Sequence, residues 1–157
     1  MTAIVSVVAV AISIVVYMES RDASEAAEKR EASKIYLTVT EDKNGKYIEL
    51  KIANTGTTPI RNAVVTLTKN KQPEPVYAYN FGFIAACKQE ISPINISPDD
   101  PIRIGDLYFQ DSSNQFWKRD PLMALQKYSA ESFNAKITPL FSPYRADKKS
   151  RPTESCG

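Results

Sequence analysis

Residues 35–52, IYLTVTEDKNGKYIELKI, contain the pattern that decides the fold. Apolar side chains alternate with Tyr and Thr in the first run, and the second run, 47–52, alternates in the same way. This two-residue period is typical of β-strands that bury one face. Asn44 and Gly45 separate the two runs, and Asn-Gly is the strongest short-range signal for a β-hairpin. The stretch therefore predicts two antiparallel strands joined by a tight turn.

Downstream of this hairpin, further short runs predict further strands. They occupy residues 63–68, 76–84, 91–96, 102–109 and 132–140. About seven strands with frequent turns predict a mainly β chain, folded as an antiparallel immunoglobulin-like β-sandwich over residues 35–141.

Two C-terminal segments are predicted not to belong to strands. Asp120-Pro121 has the pattern of a helix N-cap followed by Pro, and it predicts a short helix through about residue 128. Residues 142–157, SPYRADKKSRPTESCG, are polar and basic and predict a disordered tail.

The chain before the hairpin has the features of a membrane anchor and a stalk. Residues 1–18 contain no charged side chain, and as a helix they would measure about 27 Å, close to the thickness of a bilayer core. Residues 19–34, ESRDASEAAEKREASK, lack Gly, Pro and large apolar side chains and are rich in helix formers. We predict one long N-terminal helix, transmembrane over 1–18 and a solvated stalk over 19–34.

Small residues recur along one side of this predicted helix. Their spacing allows two backbones to approach closely in lipid, which predicts packing against a second copy or against another membrane helix. The alternative is that Ser and Ala are simply common in membrane helices. The residues of this small-residue stripe are Thr2, Ser6, Ala9, Ser13, Ser20, Ala23 and Ala27.

Basic residues follow the uncharged run and none precedes it. Four basic residues lie within about 16 residues after its end: Arg21, Lys29, Arg30 and Lys34. The positive-inside rule therefore predicts a single-pass protein of the cell membrane with its β domain in the cytoplasm. The opposite orientation, with the domain outside the cell, is the alternative.

Charge and composition argue against several functions. The chain has 20 basic and 18 acidic residues, so its net charge of +2 does not predict binding to nucleic acid. His is absent, which removes the commonest general base and metal ligand, and no catalytic motif is present. Asp99, Asp100, Asp106 and Asp111 are better explained as turn and capping residues than as calcium ligands. We predict no enzyme activity, no cofactor and no metal site.

One cluster combines aromatic and basic side chains. It consists of Phe116, Trp117, Lys118 and Arg119, and it is the candidate contact for a protein partner or a membrane surface. Packing of the aromatic rings in the core, with the charges flanking it, is the alternative.

The two cysteines, Cys87 and Cys156, are far apart in the sequence. One reading is a buried thiol and a thiol on a loose tail. The other is a disulfide that joins the tail to the domain, which needs an oxidising compartment.

Residues 50–65, LKIANTGTTPIRNAVV, resemble the V-x-N-x-G-x-x-P-x-x-x-V signature of immunoglobulin-like and CARDB-like accessory β domains. The order of span, Ala/Glu-rich stalk and β domain also resembles a group of uncharacterised prokaryotic single-pass membrane proteins. The resemblance implies a strand–turn–strand unit, with Gly56 and Pro59 forming the turn, and it implies no active site.

These features favour a membrane-tethered, non-enzymatic interaction module whose partners are the lipid bilayer and another protein or a second copy. The alternative is a pilin-like filament or surface-appendage subunit that assembles through its N-terminal apolar helix. The chain differs from the common bacterial pilin pattern because position 5 is Val5 and not Glu.

Overall fold

The structure is a computed structural model that describes residues 2–41, 47–69, 74–95, 102–141 and 148–156. The side chains of residues 2–12, Tyr47 and Asn95 are not part of the description. The predicted hairpin turn at Asn44-Gly45 lies outside the described residues, as do Asp99 and Asp100.

Within the described ranges, a long helix leads into a β domain that contains one further short helix. The elements in chain order are α1 (Thr2–Ser33), β1 (Ile35–Glu41), β2 (Tyr47–Asn54), β3 (Ile60–Lys69), β4 (Pro75–Ile84), β5 (Lys88–Asn95), β6 (Ile102–Gln110), β7 (Phe116–Arg119), β8 (Leu125–Tyr128), α2 (Ala130–Lys136), a 3-10 turn (Thr138–Leu140) and β9 (Lys149–Pro152).

The strands form two antiparallel sheets. The four-stranded sheet has the order β1-β2-β5-β9, and the five-stranded sheet has the order β4-β3-β6-β7-β8. Leu50 and Ile52 from the first sheet and Val65 and Phe109 from the second are fully buried in one core. The prediction of a mainly β chain with antiparallel sheets is therefore confirmed. The predicted strands 35–40 and 47–52 pair in one continuous register as β1 and β2.

A second, smaller core covers the outer face of the five-stranded sheet. Phe133 and Ile137, from α2 and the residue after it, pack there on Val64, Tyr108 and Phe116. The ring of Phe133 lies 4.7 Å from that of Phe116 and 6.2 Å from that of Tyr108, measured between centroids. The helix therefore contributes apolar side chains to this face of the sheet.

Two predicted elements after residue 119 are wrong. Residues 120–128 form no helix, because Asp120 closes a tight turn through its carboxylate, which accepts from Ala124 N at 2.9 Å, and β8 follows. Residues 132–140 form no strand, because Ser129 accepts from Ser132 N at 3.0 Å and caps the N-terminus of α2. Asp and Ser are common both in turns and at helix caps, so the local sequence did not distinguish the two.

The predicted disordered tail is also partly wrong. Lys149–Pro152 form β9, which pairs antiparallel with β5. Cys156 forms a disulfide with Cys87, and Thr153 N donates to the Cys87 carbonyl at 3.0 Å. Residues 142–147 and 157 lie outside the described residues. The tail prediction failed because all four side chains of β9 are exposed, so the strand leaves no apolar pattern in the sequence. Backbone pairing with β5 and the disulfide to Cys87 hold it in place.

Among the described residues, no helix is both long enough and apolar enough to cross a membrane.

Candidate functional site

Among the described residues, the longest run of exposed large apolar side chains lies on α1, ahead of the β domain. The helix has 32 residues and a length of about 48 Å, and its contacts with the β domain involve its C-terminal part. Ile14, Val15, Val16, Tyr17 and Met18 are consecutive apolar residues with exposed fractions between 54% and 68%. Five consecutive residues cover more than one full turn, so this exposed apolar segment presents apolar surface on every side of the helix.

The other end of α1 is fixed to the β domain by Arg119. This side chain is buried in β7, and its Nη2 donates to the Ser33 carbonyl at 3.1 Å and to the Ala32 carbonyl at 3.3 Å. These carbonyls belong to the last turn of α1, where backbone acceptors have no partner inside the helix and where the helix dipole favours a cation. Burial lowers the pKa of the Arg119 guanidinium.

The loop after β2 holds the turn between α1 and β1. Thr55 donates to the Lys34 carbonyl from both its backbone N (3.2 Å) and its Oγ1 (3.0 Å). The loop itself is organised by buried Asn54, whose amide donates to the Thr58 carbonyl at 2.8 Å and whose Oδ1 accepts from Gly56 N at 3.0 Å. The Asn and Gly of the signature in 50–65 thus help to attach the helix to the domain.

Gly56 also allows α1 to lie close to this loop. A Cβ at this position would lie 3.1 Å from Glu31 Oε2. Glu31 pairs with Lys34 at 2.9 Å, and its other oxygen accepts from Thr57 Oγ1 at 3.5 Å. The hydrogen bond from Lys34 is the main reason that the pKa of Glu31 is below its usual value.

A third contact lies one and two turns earlier on the helix. Lys127 of β8 approaches Glu28 at 3.3 Å and Glu25 at 3.9 Å, and its ammonium lies 5.9 Å from the ring centroid of Trp117. We call the contacts of Arg119, the Asn54–Thr58 loop and Lys127 with α1 the helix joint. Because they come from both sheets, they fix the direction of the helix relative to the domain.

The predicted aromatic and basic cluster is divided by the structure. Phe116 and Trp117 are buried, at 7% and 1% exposure, so the alternative of core packing is confirmed for both. Trp117 Nε1 donates to Asp111 Oδ2 at 2.7 Å. Lys118 points to the opposite face of the sheet and pairs with Asp106 at 2.9 Å. The cluster does not form one exposed contact patch, because neighbouring residues of a strand point to opposite faces.

The described members of the small-residue stripe are exposed. Ser13, Ser20, Ala23 and Ala27 all lie on α1 with accessible side chains. Thr2, Ser6 and Ala9 lie in the helix, but their side chains are outside the description. Packing of this stripe against another helix stays a prediction.

A polar groove of about 740 Å³ lies on the outer face of the five-stranded sheet, between the strands and the end of α2. The Asp106–Lys118 pair lines it, and the Tyr108 hydroxyl donates to Asp106 Oδ2 at 3.2 Å. Burial, and then the charge of Asp106, raise the pKa of Tyr108. Among the described residues, no group of His, Cys, Asp or Glu is arranged to hold a metal ion. Asp111, one of the carboxylates considered for calcium, instead accepts from Ser113 N, Gln115 N and Trp117.

The sequence reasoning missed the role of Arg119 at the joint. The sequence signal for it was weak. Arg119 lies two residues after Trp117 and two residues before Pro121, so a basic residue occupies a position whose neighbours on the same face are aromatic or apolar. It also missed that Asn54 is a buried organiser, although Asn two residues before Gly is a known signal for an Asx-turn.

Comparison with known proteins identifies one matching family. A model described as "Domain of unknown function (DUF8453)" matches residues 1–141. No curated protein and no solved structure matches the chain.

Proposed function

The chain belongs to the DUF8453 family, and from its geometry we propose that it is a membrane-tethered, non-enzymatic interaction module. In this proposal, the N-terminal part of α1 is held in a membrane and the β domain is presented on the helical stalk. The observation that carries it is the exposed apolar segment, which continues an uncharged run that begins at residue 1. Apolar surface on every side of a helix is stable only when lipid or protein covers it.

The helix joint supports a presenting role. A flexible tether would need no hydrogen bonds at its end, whereas Arg119 and Thr55 fix the last turn of α1 and the residue after it. A domain attached in this way keeps one orientation relative to its anchor. This favours a function in which a defined face of the domain meets a partner. The immunoglobulin-like relationship implied by residues 50–65 is part of the proposal, since domains of that class commonly act by binding.

The disulfide favours the outside of the cell. Disulfides form and persist in oxidising compartments, and Cys87 is paired with Cys156. The basic residues Arg21, Lys29, Arg30 and Lys34 favour the cytoplasm, but long domains are translocated largely regardless of such charges. We therefore propose that the β domain lies outside the cell, which was the alternative in the sequence analysis.

A fractionation experiment tests the tether. The full chain is expressed in a prokaryotic host, and its membranes are washed with alkaline carbonate. The wild-type chain is expected to stay with the membranes. The variant Ile14→Glu/Val15→Glu shortens the uncharged run to residues 1–13, about 20 Å of helix, and is expected to be released.

The matched control is Leu122→Glu/Met123→Glu, which places the same charges on two exposed apolar residues of the β domain. It is expected to fractionate like the wild type. Release of the wild-type chain by carbonate, or equal retention of both variants, would contradict the tether.

Sidedness is tested in intact cells with a membrane-impermeant amine reagent. The proposal predicts that the exposed Lys127 and Lys136 are labelled without lysis, and that Cys87 and Cys156 are oxidised in the isolated protein. Labelling only after lysis would instead place the domain in the cytoplasm.

A second candidate is a pilin-like filament subunit that assembles through α1. The unbroken helix from the apolar run into the β domain favours it, since pilin-like subunits have the same order of parts. Recovery of the chain in sheared extracellular filaments would favour this candidate, and recovery in washed membranes alone would favour the tether.

A further inference from the structure

The floor of the polar groove is shaped by an irregularity in the pairing of β3 with β6. Their register shifts by one residue between Val65 and Leu67. Within this interval, Thr66 of β3 lies opposite two residues of β6, Gly105 and Asp106, and all three line the groove. Such a β-bulge changes the direction of side chains, and bulges are frequent beside functional sites. The bulge lies where a ligand in the groove would meet the sheet.

Side-chain contacts hold this bulge in one geometry. Thr66 Oγ1 accepts from Asp106 N at 2.9 Å and donates to the Asp106 carbonyl at 3.2 Å. A Cβ at Gly105 would lie 2.6 Å from Thr66 Oγ1, so any other residue there would displace the hydroxyl. Gly inside a strand often marks a place where a ligand approaches the backbone closely. The bulge thus fixes Asp106 at the floor and leaves the backbone beside it uncovered by a side chain.

The polar groups on this floor have hydrogen-bonding capacity that the protein does not use. Asp106 Oδ2 pairs with Lys118 Nζ at 2.9 Å and accepts from the Tyr108 hydroxyl at 3.2 Å. In the described part of the chain, Asp106 Oδ1 accepts no hydrogen bond, and it is not buried. An ammonium group has several N–H donors, so Lys118 keeps donors free beyond this pair. An unused acceptor and an unused donor therefore lie side by side.

The formal charges that line the groove cancel. Asp106 and Lys118 form the pair on the floor, and the exposed Glu74 and Lys136 add one charge of each sign. A lining of balanced charge creates no net field that attracts an anion or a cation. The groove therefore favours an uncharged ligand with both donors and acceptors.

Apolar and aromatic side chains also line the groove. Tyr128, Ile137 and Leu140 belong to the lining, and the ring of Tyr128 lies 5.1 Å from that of Tyr108, measured between centroids. The volume of about 740 Å³ is within the usual range for small-molecule sites. A sugar ring has the matching combination of groups, since neighbouring hydroxyls each donate and accept while its C–H groups form an apolar face.

We propose that the polar groove binds a neutral carbohydrate, as a monosaccharide or a disaccharide unit. One sugar hydroxyl donates to Asp106 Oδ1, a neighbouring hydroxyl accepts from Lys118 Nζ, and the C–H face of the ring packs on Tyr128 and Leu140. The bonds to charged groups are the stronger ones and set the orientation of the sugar. This site goes beyond the proposed tether and does not depend on it, because all of its residues belong to the β domain.

The test follows backbone amide resonances of the full chain in dodecylphosphocholine micelles, because sugar-based detergents would compete for the groove. Cellobiose, maltose, lactose and N,N′-diacetylchitobiose are each added up to about 50 mM, which covers a Kd in the millimolar range. At least one of them is expected to cause saturable shifts at Gly105, Asp106 and Lys118. Glycylglycine, a zwitterion, and inorganic phosphate, an anion, are expected to cause none.

Two variants test the assigned bonds. Asp106→Asn and Lys118→Met each keep a side chain of similar size and are expected to raise the Kd of the bound sugar at least about tenfold. The matched controls Asp120→Asn and Lys51→Met make the same chemical changes outside the groove and are expected to leave the Kd unchanged. Saturation transfer from the aromatic protons of Tyr128 to the sugar C–H groups tests the apolar contact in the wild type, without any variant.

Several outcomes would overturn the proposal. They are the absence of saturable shifts with all four sugars, shifts located away from the groove, and an unchanged Kd in both folded groove variants. Stronger binding of glycylglycine than of any sugar would assign the groove to a peptide instead. If a groove variant loses its fold, as its amide spectrum would show, the shift mapping and the saturation transfer in the wild type still decide. None of these results depends on whether α1 enters a membrane.

Discussion

Arg119 Nη2 donates to the Ser33 carbonyl at 3.1 Å, and these two residues are 86 positions apart in the sequence. The bond joins the end of a helix to a strand of the five-stranded sheet, and the same nitrogen reaches the Ala32 carbonyl. The β domain begins directly after this turn of α1. The direction in which α1 leaves the domain therefore depends on a side chain that is distant in the sequence and close in space.

The first prediction concerns this contact. Arg119→Ala removes both hydrogen bonds to α1 and a third, from Nη1 to the Met123 carbonyl, and it leaves the buried Ala32 carbonyl without this donor. We therefore expect the free energy of unfolding to fall by about 2–4 kcal/mol. Arg119→Lys keeps the charge but cannot reach two carbonyls with a planar group, so an intermediate loss is expected. Urea denaturation of the full chain in detergent measures both. Arg61→Ala, at an exposed residue of β3, is the control and is expected to have little effect. Equal losses for Arg61→Ala and Arg119→Ala would contradict this role.

The second prediction concerns β9 and the disulfide between Cys87 and Cys156. The disulfide closes a loop across a sequence separation of 69 residues. The side chains of β9 are all exposed, so its pairing with β5 depends on backbone bonds and on this crosslink. Cys156→Ser is expected to lower the free energy of unfolding by about 2–4 kcal/mol and to make the amides of 149–153 exchange quickly with solvent. Cys87→Ser should match it. Hydrogen exchange provides the measurement, and slow exchange of these amides in either variant would show that β9 needs no disulfide.

The two errors after residue 119 and the error in the tail have a common physical origin. The strands β1 and β2 could be predicted because one buried face leaves an alternating pattern in the sequence itself. The strand β9 buries no side chain, so it leaves no pattern, and its position is set by β5 and Cys87. Asp120-Pro121 starts a turn because β7 and β8 pair across it, and this pairing is not visible locally.

The functional region also contains one part that the local sequence predicts and one part that depends on distant contacts. The exposed apolar segment could be predicted, because the absence of charged residues is visible in the sequence without any knowledge of the fold. The helix joint could not be predicted, since Arg119 and Ser33 are brought together only by the packing of α1 on the β domain. Trp117 was a candidate for a partner contact because large aromatic residues serve both cores and interfaces. Only its buried bond to Asp111 decides between the two.

The third prediction concerns alkaline pH. Burial and the nearby Asp106 carboxylate raise the pKa of Tyr108 above its ordinary value of 10.0. The folded protein therefore favours the neutral phenol, and the stability that this provides is complete below pH 10.0 and is lost as the pH rises toward the folded pKa. We expect the free energy of unfolding to fall above pH 10.0 more steeply in the wild type than in Tyr108→Phe. Urea denaturation across this range, with Tyr77→Phe at an exposed site as the control, measures the difference. Parallel profiles for the wild type and Tyr108→Phe would refute it.

The last prediction concerns the turn between β6 and β7. Asp111 Oδ2 accepts from the buried Trp117 Nε1 at 2.7 Å, while Oδ1 accepts from Ser113 N and Gln115 N at 2.9 Å each. Asp111→Ala leaves the indole N–H buried without an acceptor and opens the turn, so a loss of about 2–4 kcal/mol in the free energy of unfolding is expected.

Asp120→Ala is a matched control, because Asp120 also closes a strand-to-strand turn, through Ala124 N, but its bond is exposed. Its loss is expected to be about 1 kcal/mol or less. Trp117 fluorescence should also shift to longer wavelength in Asp111→Ala, as water reaches the indole, and stay unchanged in Asp120→Ala. Equal losses for the two variants, with no shift in either, would mean that the Asp111–Trp117 bond adds nothing beyond an ordinary turn.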